Sequence, residues 1–284
     1  MPNLSALKND ILSIKNTGKI TNAMQLVASA KLRKIGKKVL DVQEYMDDVY
    51  RVFSDIISNS STESKFLKNE EIEIKKTLWV VINSNLGLCG GYNNNVNKLV
   101  INGFKPEDEV YTIGTKAIST YSSRKMKIKK SITNVDIDFT NSQAKEIGND
   151  ILAYYSSGEF NDVCIVYTKF INNVTFEPRI LKIFPIIKSK VIQTESKKVN
   201  YTFEPSAGEV FDSAVNIYLS TMVYGCIIES QVSEQASRRV SMENATNNGK
   251  ELSFNLSIKY NRERQASITQ EISEIVSGAS ALQD

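Results

Sequence analysis

The stretch 32–56 reads L-R-K-I-G-K-K-V-L-D-V-Q-E-Y-M-D-D-V-Y-R-V-F-S-D-I, and its apolar residues recur at alternating steps of three and four. The residues on this stripe are Leu32, Ile35, Val39, Val42, Met46, Val49, Phe53 and Ile56. Such spacing is the heptad a/d pattern of a helix that packs along another helix. The same register runs back through Leu4, Leu7, Ile11 and Ile14, so we predict one helix over about Asn3–Asn59.

One part of this helix breaks the pattern. Polar or small residues occupy the stripe at Gly18, Thr21 and Gln25. The apolar residues move to Ile20, Met24 and Val27. The sequence therefore predicts a change of the buried face near residues 17–24.

A second helical stripe runs along the C-terminal end, after Pro205 and Gly208. Its first residues are Val210, Ala214, Ile217, Tyr224 and Ile228, and its last are Ile268, Ile272, Ile275, Ala279 and Leu282. The stripe weakens across the polar segment Ser233–Lys250. We predict one helix over about Glu209–Leu282, because no proline interrupts the segment.

The lengths of the two helices constrain the architecture. At about 1.5 Å per residue they would measure roughly 85 and 110 Å, whereas a compact domain of this many residues is about 50 Å across. We therefore predict that they pair as an antiparallel coiled coil projecting from a smaller body. The alternative is a bundle in which both stretches break into shorter helices at Gly18, Gly36, Gly225 and Gly249.

The middle of the chain has the pattern of an α/β domain. Short β-branched apolar runs at 77–84, 109–114 and 162–170 predict strands, and helical patterns alternate with them at 93–102, 115–123 and 142–157. Another strand at 177–186 is predicted at a sheet edge, because it contains Pro178 and Pro185. The predicted fold class is α/β: a long antiparallel α-helical coiled coil formed by the two termini (1–60 and 209–284) plus a central Rossmann-like α/β domain (61–208).

Composition excludes several function classes. The 284 residues include no histidine, which rules out a Ser-His-Asp triad, a Cys-His dyad and any zinc site with a histidine ligand within this chain. A net charge of +3 is too small to predict binding to nucleic acid. The three cysteines predict a reducing compartment without a disulfide framework. The longest purely apolar run, Leu78–Ile82, is too short to cross a bilayer.

A glycine-rich segment, G-L-C-G-G-Y-N at 87–93, follows the first strand of the middle domain. Such turns can cradle phosphate, but this one lacks the G-x-G-x-x-G spacing and no G-K-[ST] follows it. The sequence favours a tight structural turn. Cys89 lies within it, with no basic residue or base partner adjacent in the sequence.

Two segments of the predicted helices each allow two interpretations. The segment 8–38 carries eight Lys and Arg residues against Asp10 alone, which fits either a solvated helix face or a basic collar for an acidic partner. The end of the C-terminal helix, 275–283, is nearly uncharged and rich in small residues. It is either a fraying terminus or an apolar tip held by another protein.

Three segments resemble one known family. The stretch 260–282, Y-N-R-E-R-Q-A-S-I-T-Q-E-I-S-E-I-V-S-G-A-S-A-L, looks like the C-terminal signature of the gamma subunit of F-type ATP synthases. The stretch 20–31, I-T-N-A-M-Q-L-V-A-S-A-K, is similar to its N-terminal motif, and 87–93 resembles its middle motif. The departures are Asn85-Leu86 after Ser84, Arg239 at a commonly apolar position, and Gly249 where alanine is frequent.

The resemblance implies a non-catalytic central rotor shaft with no cofactor and no bound nucleotide of its own. Its partners would be the alpha and beta subunits of the F1 hexamer, the epsilon subunit and, by peripheral contact, the membrane c-ring, at the cytoplasmic face of the cell membrane. The carried-over roles place Lys19, Met24 and Lys31 near the beta-subunit lever. They place Arg264, Gln265 and Thr269 in a hydrogen-bonding catch with the upper bearing.

The resemblance also implies that Cys89 lies in the head at the lower mouth of the hexamer and that Ile275 and Leu282 belong to the apolar tip. Two alternatives stay open from the sequence. One is the rotor of a diverged F1-like ATPase whose output is mechanical work or another task than proton transport. The other is a stand-alone Rossmann-like enzyme with helical extensions.

Overall fold

The structure, a computed structural model, describes residues 4–59, 64, 66–68, 74–133, 135–187, 204 and 206–281. By its internal contacts the chain divides into two compact units. The smaller unit combines Met1–Ala28 with Arg239–Asp284, and the larger unit is Ser29–Arg238. The three segments predicted from the sequence, 1–60, 61–208 and 209–284, stay a prediction. Leu282 lies outside the described residues.

The two long helices are present as predicted. Helix α1 is Leu4–Asn59, with 56 residues, and helix α5 is Ala207–Ala281, with 75 residues. Both continue through the glycines at which a bundle would have broken, because a single glycine costs only about 1 kcal/mol within a helix. The bundle alternative is therefore wrong, and the prediction of long terminal helices is confirmed.

Within the larger unit, α1 and α5 pair in opposite directions. Gln43 of α1 contacts Glu229 of α5, with 2.9 Å between Nε2 and Oε1. Ten residues further along α1, Phe53 stacks on Tyr218, which precedes Glu229 in α5, with ring centroids 4.4 Å apart. A buried apolar cluster joins the two helices, and it consists of Leu32, Ile35, Val39, Ile228, Val232 and Ala236. The predicted heptad stripe is therefore the packing face of α1.

The smaller unit pairs the same helices antiparallel through smaller residues. The Thr21 and Thr246 hydroxyl oxygens lie 2.7 Å apart, and a Cβ built on Gly249 would lie 3.9 Å from Ile14 Cγ2. Ile20 and Val27 are 61% and 56% exposed. The predicted change of face is therefore wrong: the heptad register continues through Thr21, because small side chains allow the helices to approach.

The larger unit contains a five-stranded sheet and a two-stranded one. The strands are β1 (Leu67–Lys68), β2 (Thr77–Ile82), β3 (Glu109–Ile113), β4 (Ile128–Ile132), β5 (Asp162–Phe170), β6 (Phe176–Phe184) and β7 (Ile186–Ile187). The shorter helices are α2 (Tyr92–Gly103), α3 (Thr115–Ser123) and α4 (Asn141–Ser156). The large sheet has the order β4-β3-β2-β5-β6. Its first four strands are parallel, and β6 is antiparallel to β5.

The sequence predicted β2, β3 and β5, the three helices α2, α3 and α4, and β6 as an edge strand, all of which the structure contains. Helices α2 and α3 follow β2 and β3, whereas α4 precedes β5. The prediction missed β4 at the other edge. The residues of β4, I-K-K-S-I, are half-buried or exposed. Two lysines and a serine separate the isoleucines, so the sequence shows no apolar run there. The prediction also missed the pairing of the two-residue strands β1 and β7, which are too short to give a pattern.

Both faces of the central strand β2 are buried, as is usual for a parallel sheet. Along β2, Leu78, Val80 and Ile82 belong to a core cluster that includes residues of α1, α4 and α5. The intervening Trp79 and Val81 belong to a cluster with residues of α2 and α3. A segment of α5 is long and apolar enough to cross a membrane, but 61% of it is buried in the chain's own packing. We interpret that segment as a core helix.

Candidate partner-binding surfaces

The outward face of α1 in the smaller unit carries apolar side chains. Ile20, Leu26 and Val27 are 61%, 62% and 56% exposed. Met24 is half-buried and Lys19 is exposed. The usual order of a helix pair is inverted here, because polar Thr21 faces α5 while large apolar residues face outward. Exposed apolar residues grouped in this way are typical of a surface that another molecule covers.

Lys31 is placed in the larger unit and is half-buried. Burial raises the pKa of Glu234, and the positive charges of Arg238 and, more weakly, Lys31 act in the opposite direction. Lys31 therefore interacts electrostatically with an acidic group of its own chain. Lys19 and Met24 belong to the smaller unit.

The last part of α5 extends beyond the described start of α1. Thr21 lies opposite Thr246, and Leu4 precedes Thr21 by 17 residues, so α1 begins opposite about residue 263 of α5. The apolar side chains after that point are exposed by 48% to 71%, and they are Ile268, Ile272, Ile275 and Val276. Within the described chain this stripe has no opposing helix.

Arg264, Gln265 and Thr269 lie on this same part of α5, and all three are exposed. The Thr269 hydroxyl donates a hydrogen bond to the carbonyl oxygen of Gln265 at 2.9 Å. The structure therefore brings together the predicted catch residues and the apolar tip residue Ile275 on one exposed helix end. Their contacts with a partner stay a prediction.

The segment 85–90, which we call the glycine loop, is a tight turn between β2 and α2. Leu88 and Gly90 have φ angles of 61° and 57°, in the left-handed region that costs a residue with a side chain about 1 kcal/mol or more. The loop exposes Leu86 by 66% and Leu88 by 63%, whereas Cys89 is only 2% exposed. The prediction of a structural turn is supported by these conformations.

Cys89 is enclosed by polar neighbours. Asn93 Nδ2 donates to its Sγ at 3.3 Å, and the Ser84 hydroxyl lies 3.7 Å from the same sulfur. Burial raises the pKa of the Cys89 thiol, although the Ser84 hydrogen bond and the charge of Arg238 act in the opposite direction. A buried thiol with a raised pKa is a poor nucleophile, so the residue has a structural environment.

Two side chains of α5, 148 to 152 residues later in the chain, help to hold the glycine loop. The Ser237 hydroxyl donates to the carbonyl oxygen of Cys89 at 2.6 Å. Arg238 Nη2 donates to the carbonyl oxygens of Leu86 and Gly87 at 3.0 and 3.3 Å. Its Nη1 pairs with Glu234 Oε1 at 2.6 Å. This cluster was not predicted from the sequence, where its one signal is the Glu-x-x-x-Arg spacing that places the two charges on one helix face.

Among the described residues, no group of three or more Cys, Asp and Glu side chains is arranged to hold a metal ion. The buried carboxylates have partners within the fold. Asp108, for example, accepts hydrogen bonds from the Trp79 ring nitrogen and from the backbone N–H groups of Thr77 and Lys105. These contacts give Asp108 a structural role at the amino ends of the strands.

Solved structures share this fold. A chain of the Euglena gracilis mitochondrial ATP synthase (OSCP/F1/c-ring, rotational state 3) matches with a TM-score of 0.73 at 17% identity, covering 98% of this chain and 94% of that one. A chain of the Tetrahymena thermophila mitochondrial ATP synthase (central stalk/c-ring) matches with a TM-score of 0.60 at 22% identity, covering 80% and 99%. The fold is therefore that of a class of ATP synthase chains built from long terminal helices and an α/β domain.

Sequence relatives define the family. A family model described as ATP synthase matches residues 3–282. The ATP synthase gamma chain of Mesoplasma florum is 68% identical over 282 residues, and that of Mycoplasma mycoides subsp. mycoides SC is 60% identical over 281 residues. In both cases 99% of each chain is covered.

This chain belongs to the ATP synthase gamma chain family. The function predicted from the sequence, a central-stalk rotor subunit of an F-type ATP synthase, is thereby confirmed. Nothing in the comparisons favours the rotor of a diverged F1-like ATPase. A stand-alone enzyme is likewise not supported, because the chain is one subunit of a complex.

Proposed function

We propose that the smaller unit, with its helix pair and the exposed end of α5, enters the hexamer of alpha and beta subunits. The observation that carries this proposal is the stripe of Ile268, Ile272 and Ile275, which are 48%, 55% and 71% exposed. Fully burying an exposed isoleucine side chain contributes roughly 1.5–3 kcal/mol, and covering these partly exposed side chains gains a part of that amount each. A surrounding sleeve formed by other subunits supplies the missing cover.

Lys19, Met24 and Lys31 are proposed to contact the lever of a beta subunit. The support is the outward apolar group of Ile20, Leu26 and Val27 on the same stretch of α1 as the half-buried Met24 and the exposed cation of Lys19. This combination suits a partner that offers both apolar and acidic side chains. Contacts that differ between the open and closed states of a beta subunit would bias its nucleotide affinity. By linkage, nucleotide binding would in turn drive rotation of the shaft.

Arg264, Gln265 and Thr269 are proposed to form a hydrogen-bonding catch with the upper bearing, and Ile275 and Leu282 to line the apolar tip. Exposure of Arg264 and Gln265 on the helix end supports the catch, because both side chains are available as donors. Arginine is also among the residues that most often anchor interfaces.

The α/β domain is proposed to contact the epsilon subunit and the c-ring, with Cys89 near the lower mouth of the hexamer. The protein would then be peripheral at the cytoplasmic face of the cell membrane. We propose no catalytic, nucleotide-binding or nucleic-acid-binding site on this chain. In support, its one glycine-rich turn lacks the residues of a P-loop.

The catch is tested by replacing Arg264 and Gln265 with alanine in the reconstituted complex. We expect slower coupled turnover while nucleotide stays bound to the catalytic subunits, because the change removes donors from the rotor and leaves the catalytic sites intact. The matched control is R262A/Q270A, which removes an exposed arginine and an exposed glutamine from the same helix segment. An unchanged ATPase rate in R264A/Q265A would contradict the assignment of the catch.

A further inference from the structure

The shape of the glycine loop depends on contacts with neighbouring side chains. Its left-handed residue Leu88 has φ 61° and a free side chain that is 63% exposed, so that side chain gains little from packing within the chain. A strained backbone conformation persists only where surrounding contacts over-determine it. The neighbouring helix α5 supplies most of the hydrogen bonds to the loop's carbonyl oxygens. Ser84 adds one more, because its hydroxyl donates to the Leu86 carbonyl oxygen at 2.7 Å.

Arg238 makes the largest number of these contacts. Its guanidinium reaches the Leu86 carbonyl at 3.0 Å and the Gly87 carbonyl at 3.3 Å, and its Nε lies 3.4 Å from the Gly87 carbonyl. The residue is only 6% exposed, and a buried charge of this kind needs a counter-charge. Glu234, one helical turn earlier, supplies it at 2.6 Å.

We propose that Glu234 and Arg238 form a positioning pair that fixes the glycine loop to α5, so that the exposed Leu86 and Leu88 move with that helix as it rotates. The inference rests on the proposed function, in which the loop lies where the rotor meets its neighbours. Glu234 keeps the guanidinium neutralised and oriented, and the guanidinium holds the two carbonyl groups. Neither residue is proposed to touch a partner subunit.

The pair is tested with the variants R238Q, R238K and E234Q/R238Q. The double variant removes both charges and leaves no unpaired buried carboxylate. R238K keeps a charge, but an ammonium group lacks the planar fork that reaches several oxygens at once. The matched control is R179Q, which removes an exposed arginine that is paired with Glu177 in the same unit.

The first readout is the rate at which a maleimide labels Cys89 in the full-length chain, with the labelled site identified by peptide mass spectrometry. Labelling needs local opening, so the loss of the loop's anchoring bonds should raise the Cys89 rate about tenfold or more in R238Q and in the double variant. R238K should give an intermediate rate and R179Q the wild-type rate. The buried Cys164 and Cys226 report global opening and should keep their rates. An unchanged Cys89 rate, or an equal rise at all three cysteines, would overturn the proposal.

The second readout is ATP-driven proton pumping per ATP hydrolysed, in complexes reconstituted into vesicles. We expect a loss of pumping per ATP in R238Q and in the double variant, with partial recovery in R238K. A loosened loop with unchanged pumping would overturn the inference that the loop's position matters for rotation. That result is separate from a failure of the proposed catch, which shows as an unchanged ATPase rate in R264A/Q265A.

Discussion

The hydroxyl oxygens of Thr21 and Thr246 lie 2.7 Å apart across the two helices of the smaller unit. Each hydroxyl also lies within hydrogen-bonding distance of a carbonyl oxygen of its own helix, Thr21 with Gly18 at 3.1 Å and Thr246 with Met242 at 2.8 Å. Two hydroxyl protons cannot serve three contacts, since each hydroxyl carries one proton. At this point of the helix pair, at least one of the three possible hydrogen bonds is therefore not formed.

The double variant T21V/T246V should be as stable as the wild type or more stable. Replacing both partners of a hydrogen bond by apolar groups of the same shape is nearly neutral or stabilising. The single variants should cost no more than about 1 kcal/mol, because the remaining hydroxyl keeps its own helix carbonyl. Urea unfolding followed by circular dichroism gives these values. A loss above about 2 kcal/mol in the double variant would show that the pair is stabilising.

Alanine should have opposite effects at two glycines of α5. A Cβ at Gly225 would lie 1.8 Å from Met46 Sδ, whereas at Gly249 it would meet only Ile14 Cγ2 at 3.9 Å. Overpacking costs about 1–3 kcal/mol, and alanine gains about 1 kcal/mol over glycine in a helix. We expect G225A to lower the free energy of unfolding and G249A to raise it by up to about 1 kcal/mol.

The cause at Gly225 can be checked with a double-mutant cycle. In an M46A background the clash is absent, so adding G225A should be neutral or stabilising there. The same loss of stability in both backgrounds would show that the crowding does not come from Met46.

Stability should depend on pH through Glu229. This carboxyl group is 3% exposed, and burial raises its pKa, opposed in part by the hydrogen bond from Gln43. Because the folded-state pKa is higher than the unfolded one, the contribution to stability is fully present below about pH 4.3 and is lost as pH rises through the folded-state pKa. We expect this part of the pH dependence to be missing in E229Q.

The measurement is the difference in melting temperature between wild type and E229Q across the acidic range, since the other groups titrate equally in both proteins. The wild type should lose stability relative to E229Q as pH rises from about 4.3 towards neutrality. A difference that stays flat, or that changes in the opposite direction, would mean that Glu229 has an ordinary or lowered pKa in the folded chain.

Polar substitution at the end of α5 should separate folding from assembly. In I272Q/I275Q the two replaced side chains are already 55% and 71% exposed, so the isolated chain should keep its stability within about 0.5 kcal/mol. Incorporation into the complex, measured by native mass spectrometry, should fall. The control V174Q changes a residue of the larger unit that is 74% exposed. Full incorporation of I272Q/I275Q would contradict the proposal that this stripe is buried by other subunits.

The sequence was sufficient for the large elements of the fold. The heptad spacing through Leu32 and Phe53 defined α1, and the β-branched run at 77–82 defined β2, because both patterns extend over several repeats. Short or polar elements gave no such signal. The predicted change of the buried face rested on polar or small residues such as Thr21 in the stripe, whereas the close approach of the two helices places Thr21 at their contact.

The candidate surfaces were predictable to different degrees. The prediction of an apolar tip at the end of α5 followed from the nearly uncharged residues 275–283 and from the resemblance of 260–282 to the gamma subunit family. The burial of Arg238 did not, since its partners Leu86 and Gly87 are distant in the sequence and interact through backbone carbonyl groups. Backbone acceptors are the same for every residue type, so no sequence pattern marks them.

The two edges of the large sheet decide how an unassembled copy would aggregate. At one edge, β4 carries Lys129 and Lys130, the latter paired with Asp150 at 2.6 Å. At the other, β6 contains Pro178, which cannot donate a ladder hydrogen bond. Charged or proline-bearing edges are poor templates for a further strand. Subunits that have not yet assembled should therefore associate reversibly through the exposed apolar ends of their helices. Growth of amyloid-like fibrils from the edges of this sheet is disfavoured.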